Sequence, residues 1–333
     1  MIDTISASAF VGDFKGWKSW KKADDEIGRI KTVNIANSAP VTLLYYPTGY
    51  LTISFSASRV QHGENSIPYD FEKYYVVEDE VKNVLLKETD RNLELDEFIL
   101  CRLDLNKNFI RKTESVANEV LSFLNKIHPE GYQERNTYDN GGTLDISKGR
   151  NGKRAYRKDI EQQAKNHTDE ILPPTVRLEF QLNKRRIKRT IDCRPTLQNA
   201  LRKKYEILKV WKRIISKSGL DLKIYTYNEL LKRTQNILTK SEQEILKLIN
   251  NNNTFAKENR NKELAVIRKL KKYGICAYAC NVQIAVDQSI FCEIINDKRK
   301  VNICKYEIAN KKSEHISQLH TSTKTVMWFL DSS

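Results

Sequence analysis

Three short segments of the chain carry side chains that could act on a phosphodiester. Cys101-Arg102-Leu103-Asp104-Leu105 and Val176-Arg177-Leu178-Glu179-Phe180 share one pattern, an arginine and a carboxylate two residues apart between apolar neighbours. A β-strand has a side-chain period of two, so each arginine projects from the same face as its carboxylate while the apolar residues face a core. Side by side, two such strands place two carboxylates and two guanidinium groups on one sheet surface. Clustered carboxylates suit a hard divalent ion, magnesium or manganese, and arginines suit phosphate oxygens. For either strand alone, an ordinary ion pair on a solvated sheet is the simpler reading. Between them lies Lys153-Arg154-Ala155-Tyr156-Arg157-Lys158-Asp159-Ile160-Glu161. A tyrosine beside cations has the parts of an activated nucleophile, because nearby positive charge lowers a phenol's pKa. Lys158 could neutralise charge at phosphorus, and Glu161 could be a metal ligand or a base. The same segment also reads as a plain helix start with a half-buried tyrosine.

The elements that must position these groups read as α+β. Val41–Tyr46 and Tyr50–Ser58 are strands around the Pro47-Thr48-Gly49 turn, the second alternating Leu51, Ile53, Phe55 and Ala57 against Thr52, Ser54, Ser56 and Ser58. Arg59 to Pro68 reads as a polar loop and Asp70–Lys87 as a helix. Phe98–Asn106 is a strand. Thr113 caps a helix with a Val116, Val120, Leu121, Leu124, Ile127 stripe. Residues 131–155 suit a hairpin or loop near Gly141-Gly142, and the segment holding Tyr156 has no assignable type. Val176–Leu182 is a strand. From residue 184 the pattern turns helical, with twelve Lys or Arg over residues 184–213 against Asp192 and Glu206. Leu197, Leu201, Tyr205, Leu208 and Trp211 share one helical stripe. Further helices read at Glu229–Leu238, Ser241–Asn250 and Asn261–Tyr273, the last ending before Gly274. Short strands follow near Ala277–Val286 and Ile290–Tyr306. The division expected is a sheet-centred domain over residues 1–185, with duplicated strand-helix units. A basic, mostly helical region over 186–333 is a candidate duplex-binding surface with a possible helix-turn-helix or winged helix.

Bulk properties narrow the partners. The 333 residues carry 57 basic and 42 acidic side chains, a net charge of +15, which fits an anionic partner such as nucleic acid and, about equally, a soluble basic protein with a solvated charged surface. No hydrophobic run reaches the ~20 residues needed to span a bilayer, and no secretory leader is evident, which implies a cytoplasmic protein. The six cysteines then read as free thiols, and the spacing of Cys276, Cys280, Cys292 and Cys304 is not that of a zinc ribbon. No Gly-x-x-x-x-Gly-Lys-Ser/Thr loop is present, so ATP-driven unwinding is not encoded here.

Taken in order, the segments resemble the gene II/X family of phage and plasmid replication initiators, typified by filamentous phages. The resemblance rests on Met1-Ile2-Asp3, on Ile53 to Arg59 with Val60-Gln61-His62-Gly63-Glu64-Asn65, and on Arg102-Leu103-Asp104. It continues through Ala155-Tyr156-Arg157-Lys158 with Glu161 and Val176-Arg177-Leu178-Glu179, and covers roughly residues 1–185. It implies rolling-circle initiation: Tyr156 nicks one strand of supercoiled origin DNA, stays on the 5′ phosphate and later rejoins ends, while the freed 3′ hydroxyl primes synthesis. It implies a carboxylate-held metal at Asp104, Glu179 and Glu161, and a host helicase and polymerase as partners in a bacterial cell. Candidate contacts to duplex origin and displaced strand are Arg102, Arg177, Arg154 and Arg157, with Arg59, His62 and Asn65 forming either a DNA contact loop or a plain structured turn. Initiators that hold metal through a His-hydrophobic-His pair differ, since His62, His128, His167, His315 and His320 are not paired that way. A dimer is compatible with the resemblance, which fixes no oligomeric state. A sequence-specific DNA-binding regulator and a metal-dependent nuclease without a covalent step are the alternatives.

Overall fold

The computed structural model describes residues 2–280, apart from 26, 36–37, 66, 128–131, 139–140, 148–150, 167–171 and 252–259. The strand expected at Ile290–Tyr306, with Cys292, Cys304, His128, His167, His315 and His320, lies outside the described residues, and the one at Ala277–Val286 is described only as far as Cys280, where the chain is irregular.

The chain is α+β around a ten-stranded antiparallel sheet. Its first half contains β1 (Ile2–Phe10), β2 (Lys21–Lys22), β3 (Arg29–Asn34), β4 (Pro40–Tyr46) and β5 (Tyr50–Ser56), then helices α1 (Ala57–His62) and α2 (Tyr74–Thr89). Its second half contains β6 (Ile99–Ile110), α3 (Glu114–Lys126), β7 (Tyr132–Thr137), β8 (Thr143–Ser147), β9 (Gly152–Arg157), α4 (Lys158–Asn166), β10 (Thr175–Asn183) and α5 (Lys184–Thr190). The strand order is β2-β3-β4-β5-β1-β6-β10-β9-β8-β7. Each half therefore lays down an inner strand, β1 or β6, and returns its last strand, β5 or β10, beside it. Each returning strand runs straight into a short helix capped by its own last side chain. Ser56 accepts from the Arg59 amide at 3.3 Å, and Asn183 accepts from the Arg186 amide at 2.9 Å.

Capping explains where the sequence reading misplaced boundaries. β5 stops at Ser56 instead of Ser58, because the Ser56 hydroxyl turns the chain into α1, so the expected loop from Arg59 opens as helix. Gly63 closes α1 at φ 82°, a left-handed position that suits glycine. The single stripe from Leu197 to Trp211 is two helices, α6 (Leu197–Arg202) and α7 (Lys204–Ser218), broken where Lys203 leaves helical geometry at ψ 73°. Thr113 caps α3 as expected, and Gly274 follows α10 (Arg260–Lys272) at φ 71°. Between them come α8 (Tyr227–Thr234) and α9 (Lys240–Asn250), each begun by a threonine-glutamate capping box. Met1–Ala285 group as one compact unit, and the chain crosses residues 185/186 inside it, where α5 packs on β6 and β10.

The sheet is apolar on one face, and helices cover it. Lys31 of β3 reaches Glu88 of α2 at 2.6 Å, and Phe180 of β10 meets Trp211 of α7 edge-on, centroids 5.8 Å apart. Lys153 of β9 is fully buried and donates to the carbonyls of Leu124 (2.6 Å) and Ile127 (2.7 Å) at the end of α3. A cation there satisfies carbonyls that have no partner within the helix and faces the negative end of its dipole. Asp145 of β8, also fully buried, balances the charge at 3.2 Å from Lys153 and accepts from Arg135 of β7 at 2.6 Å. Burial still draws the Lys153 pKa down to about 8. Removing one member of such a buried set strands the others. Asp145→Asn is expected to lower the unfolding free energy by about 3 kcal/mol or more in urea titrations, with a peripheral change such as Glu94→Gln near zero.

Candidate active site

The two Arg-x-carboxylate strands are neighbours. β6 and β10 pair antiparallel with Glu179 opposite Asn106 and Gln181 opposite Asp104, so both carboxylates rise from the same face, diagonal to one another. β9 adds its residues beyond β10: Tyr156 stands opposite Arg177, and Arg154 opposite Glu179. On the other side β1 runs beside β6 with a bulge between Ile2 and Ile5, where Asp3 joins the same cluster. This face is the one opposite the apolar residues Leu103, Leu105, Leu178 and Phe180.

Asp3 is a site residue that the sequence reading missed. Its carboxylate accepts from Ser56 Oγ at 3.0 Å and from Arg177 Nη1 at 3.3 Å. The alternation of Ile5, Ala7 and Ala9 against Thr4, Ser6 and Ser8 marks β1 as a half-buried strand but by itself sends Asp3 to the apolar face, and the bulge between Ile2 and Ile5 reverses that.

Ionisation in the cluster follows burial. Glu179 is 5% exposed, and burial, then the charges of Asp104 and Asp3, push its pKa up to about 7 against the pull of Arg154 and Arg177. Burial also raises Asp104, although Arg102 Nε donates to both its oxygens at 2.9 and 3.1 Å. The Tyr156 hydroxyl donates to Glu179 Oε2 at 3.5 Å, and burial, then the Glu179 charge, hold the phenol above its ordinary range.

That last shift corrects the expectation that flanking cations activate Tyr156. Alternation along β9 sends Arg157 through to the helix side, where it is 2% exposed and bonded to Asp159 at 2.6 Å and to Asn118 of α3 at 2.7 Å. Lys158, 4% exposed, opens α4 and pairs with Glu161. Neither Arg157 nor Lys158 is presented to a ligand. Glu161 lies near enough to oppose ionisation of Tyr156, but it is engaged with Lys158 and is not gathered with Asp104 and Glu179. Arg177 is likewise no surface contact. It is fully buried, with Nε on Asn108 at 2.8 Å and Nη2 on the Asn65 carbonyl. Asn65 thus serves the site through its backbone. Arg59 is exposed on α1, and His62, on the same helix, has a buried Nε2 with no protein partner among the described residues.

Among the described residues beside this cluster, Arg102 and Arg154 are cations with partly accessible side chains, 38% and 41% exposed. Arg154 stands 3.9 Å from Glu179, and its Nε makes no hydrogen bond among the described residues. Three buried carboxylates and the Asn106 amide are hard oxygen donors of the kind a magnesium or manganese ion takes. Among the described residues no three acidic, histidine or cysteine side chains are already drawn together as a metal group. Arg102 and Arg177 hold Asp104 and Asp3 in their place. The donors therefore fit such an ion in chemistry, with Arg102 as the group that would have to yield.

Elsewhere, four of the twelve basic side chains over 184–213, Arg194, Arg202, Lys209 and Arg213, pair with acidic ones among the described residues. Arg213 and Lys209 face Asp192, and Arg202 grips Glu78 of α2 with both its Nε and Nη2 at 2.6 Å. α8 and α9 follow one another in the chain and touch, with Lys269 of α10 reaching Glu242 of α9 at 2.7 Å. No helix among the described residues is long and apolar enough to cross a membrane. No protein-family model matches the chain, and no curated protein matches it.

A carboxyl group whose pKa is higher in the fold than in the unfolded chain binds its proton more tightly when folded. Stability from that proton is complete below the ordinary value of 4.5 and is lost as pH rises through about 7. In chelator-treated protein, urea stability is expected to fall by a few kcal/mol between those limits, and Glu179→Gln is expected to flatten most of that slope. A variant with the wild-type slope would remove Glu179 as its source.

Proposed function

We propose that this chain cuts and rejoins one strand of DNA through a covalent bond to Tyr156, in the manner of a rolling-circle initiator. The observation that carries the reading is the Tyr156 hydroxyl set 3.5 Å from Glu179, among buried carboxylates and beside two partly accessible arginines. Arg154 and Arg102 bind the non-bridging oxygens of a phosphodiester. Glu179, the carboxylate that the Tyr156 hydroxyl already reaches, accepts the phenolic proton. The Tyr156 oxygen bonds to phosphorus, the bond to the 3′ oxygen breaks, and Glu179 returns the proton to that oxygen. The products are a 5′-phosphotyrosine and a 3′ hydroxyl, and the reverse sequence rejoins ends with no external energy source. Asp104, Glu179 and Asp3 are the residues that would hold a magnesium or manganese ion, which supplies Lewis-acid polarisation of the phosphate when bound. Supercoiled origin DNA is the substrate in this reading, with α8 and α9 as its reader. Unwinding and synthesis fall to a host helicase and polymerase.

The raised phenol pKa favours one competitor, a metal-dependent nuclease in which Tyr156 is structural. Incubation with a supercoiled plasmid library and magnesium or manganese, quenched in detergent, separates the readings. A protein-linked nick is expected for the wild type. Tyr156→Phe is expected to lose the adduct and at least a thousandfold in nicking rate, since it removes the nucleophile itself. Nicking without an adduct, undiminished by the substitution, would identify the nuclease. Binding without nicking in either protein would identify a regulator.

A further inference from the structure

The sheet face of the acid cluster continues onto β1 and β5, and its composition there is unusual. Thr4, Ser6 and Ser8 stand opposite Ser56, Ser54 and Thr52, all partly accessible. A solvated sheet face in a chain with 30% charged residues would ordinarily carry lysine and glutamate, and none of these six positions is charged. The stripe ends at Phe10 and Tyr50, directly opposite each other, 65% and 50% exposed, their rings edge-to-face with centroids 5.4 Å apart. Gly49 supports the pair. It takes φ +88°, and a side chain there would begin 2.6 Å from the Phe10 ring, so the bare backbone lets the ring lie against the turn. Partway along the stripe, Arg102 of β6 stands opposite Ser6. Ser6 to Phe10 is roughly 13 Å along a strand.

We propose that this stripe is a binding track for single-stranded DNA, leading from the Tyr156 site to a base-stacking platform made by Phe10 and Tyr50. The assignment rests on the nicking reading for its direction, because the strand it holds is the one that reaches Tyr156. Small hydroxyl side chains let a polynucleotide lie close and both donate to and accept from it without a counter-ion. Exposed rings held in place stack on unpaired bases of any sequence, which a duplex does not offer. The net charge of +15 supplies long-range attraction, and Arg102 supplies a local phosphate contact partway along the track.

The test measures anisotropy of a fluorescein-labelled, random-sequence single-stranded oligonucleotide pool, and of the same pool made duplex, against the full chain. Phe10→Ala/Tyr50→Ala removes the platform, and Ser6→Glu/Ser54→Glu places repulsive charge in the track. Circular dichroism and thermal melting confirm that each variant folds. Each is expected to weaken single-strand binding roughly tenfold or more while duplex binding changes little. Wild-type affinity for single strands in both variants would overturn the proposal, as would an equal loss on single strand and duplex. A wild-type dimer that the aromatic variant turns into a monomer would assign the patch to a second copy of the chain instead. Tyr156→Phe is expected to keep single-strand affinity. Loss of the covalent adduct alone would therefore count against the nicking reading and leave the track standing, whereas a failed track leaves the adduct assay intact.

Discussion

A guanidinium with no access to water must find its hydrogen bonds inside the protein, and Arg177 finds them on three separate pieces of chain. Asp3 comes from β1, Asn108 from β6 and the Asn65 carbonyl from the segment after α1. These contacts cross the junction where the two halves of the sheet meet. An isolated buried charge costs many kcal/mol, so this network has strong reason to form completely or not at all. The acid cluster is built around that requirement. Asp3 is held by Arg177 and Asp104 by Arg102, whereas Arg154 stands 3.9 Å from Glu179, and burial, more than any neighbouring charge, raises the pKa of Glu179.

The same economy runs through the other face. Lys153, Asp145 and Arg135 tie β7, β8 and β9 to the end of α3, and Arg157 ties β9 to α3 through Asn118. β9 thus alternates between side chains locked under the sheet and side chains, Arg154 and Tyr156, left over the site. Strand period and charge burial together decide which cations can meet a ligand.

Much of this was legible in the residues. The repeated Arg-x-carboxylate pattern correctly placed Arg102, Asp104, Arg177 and Glu179 on one face, because a period of two is a local property of strands. What each arginine bonds to was not legible, since that depends on register between strands far apart in sequence, and register put Arg177 with Asp3 instead of Glu179. The segment around Tyr156 changes from strand to helix between Arg157 and Lys158 with no loop to announce it, so neighbours in sequence were read as neighbours in space. Asp3 escaped notice because its face is set by a bulge, and a bulge shows itself only when the partner strand is known. The α6/α7 break at Lys203 has no glycine or proline to signal it.

The anchoring of Arg157 has a consequence for how far the phenol can travel. The backbone at Tyr156 is pinned on one side by the β10 ladder and on the next residue by a guanidinium gripped across the sheet by Asp159 and Asn118. Only the two torsions of the tyrosine side chain remain free, so its oxygen sweeps a narrow arc over Glu179. Little conformational entropy is left to lose when that oxygen is brought to a target. The burden of alignment passes to the polymer, whose scissile linkage has to be carried to a fixed point, as thread is brought to a needle already clamped.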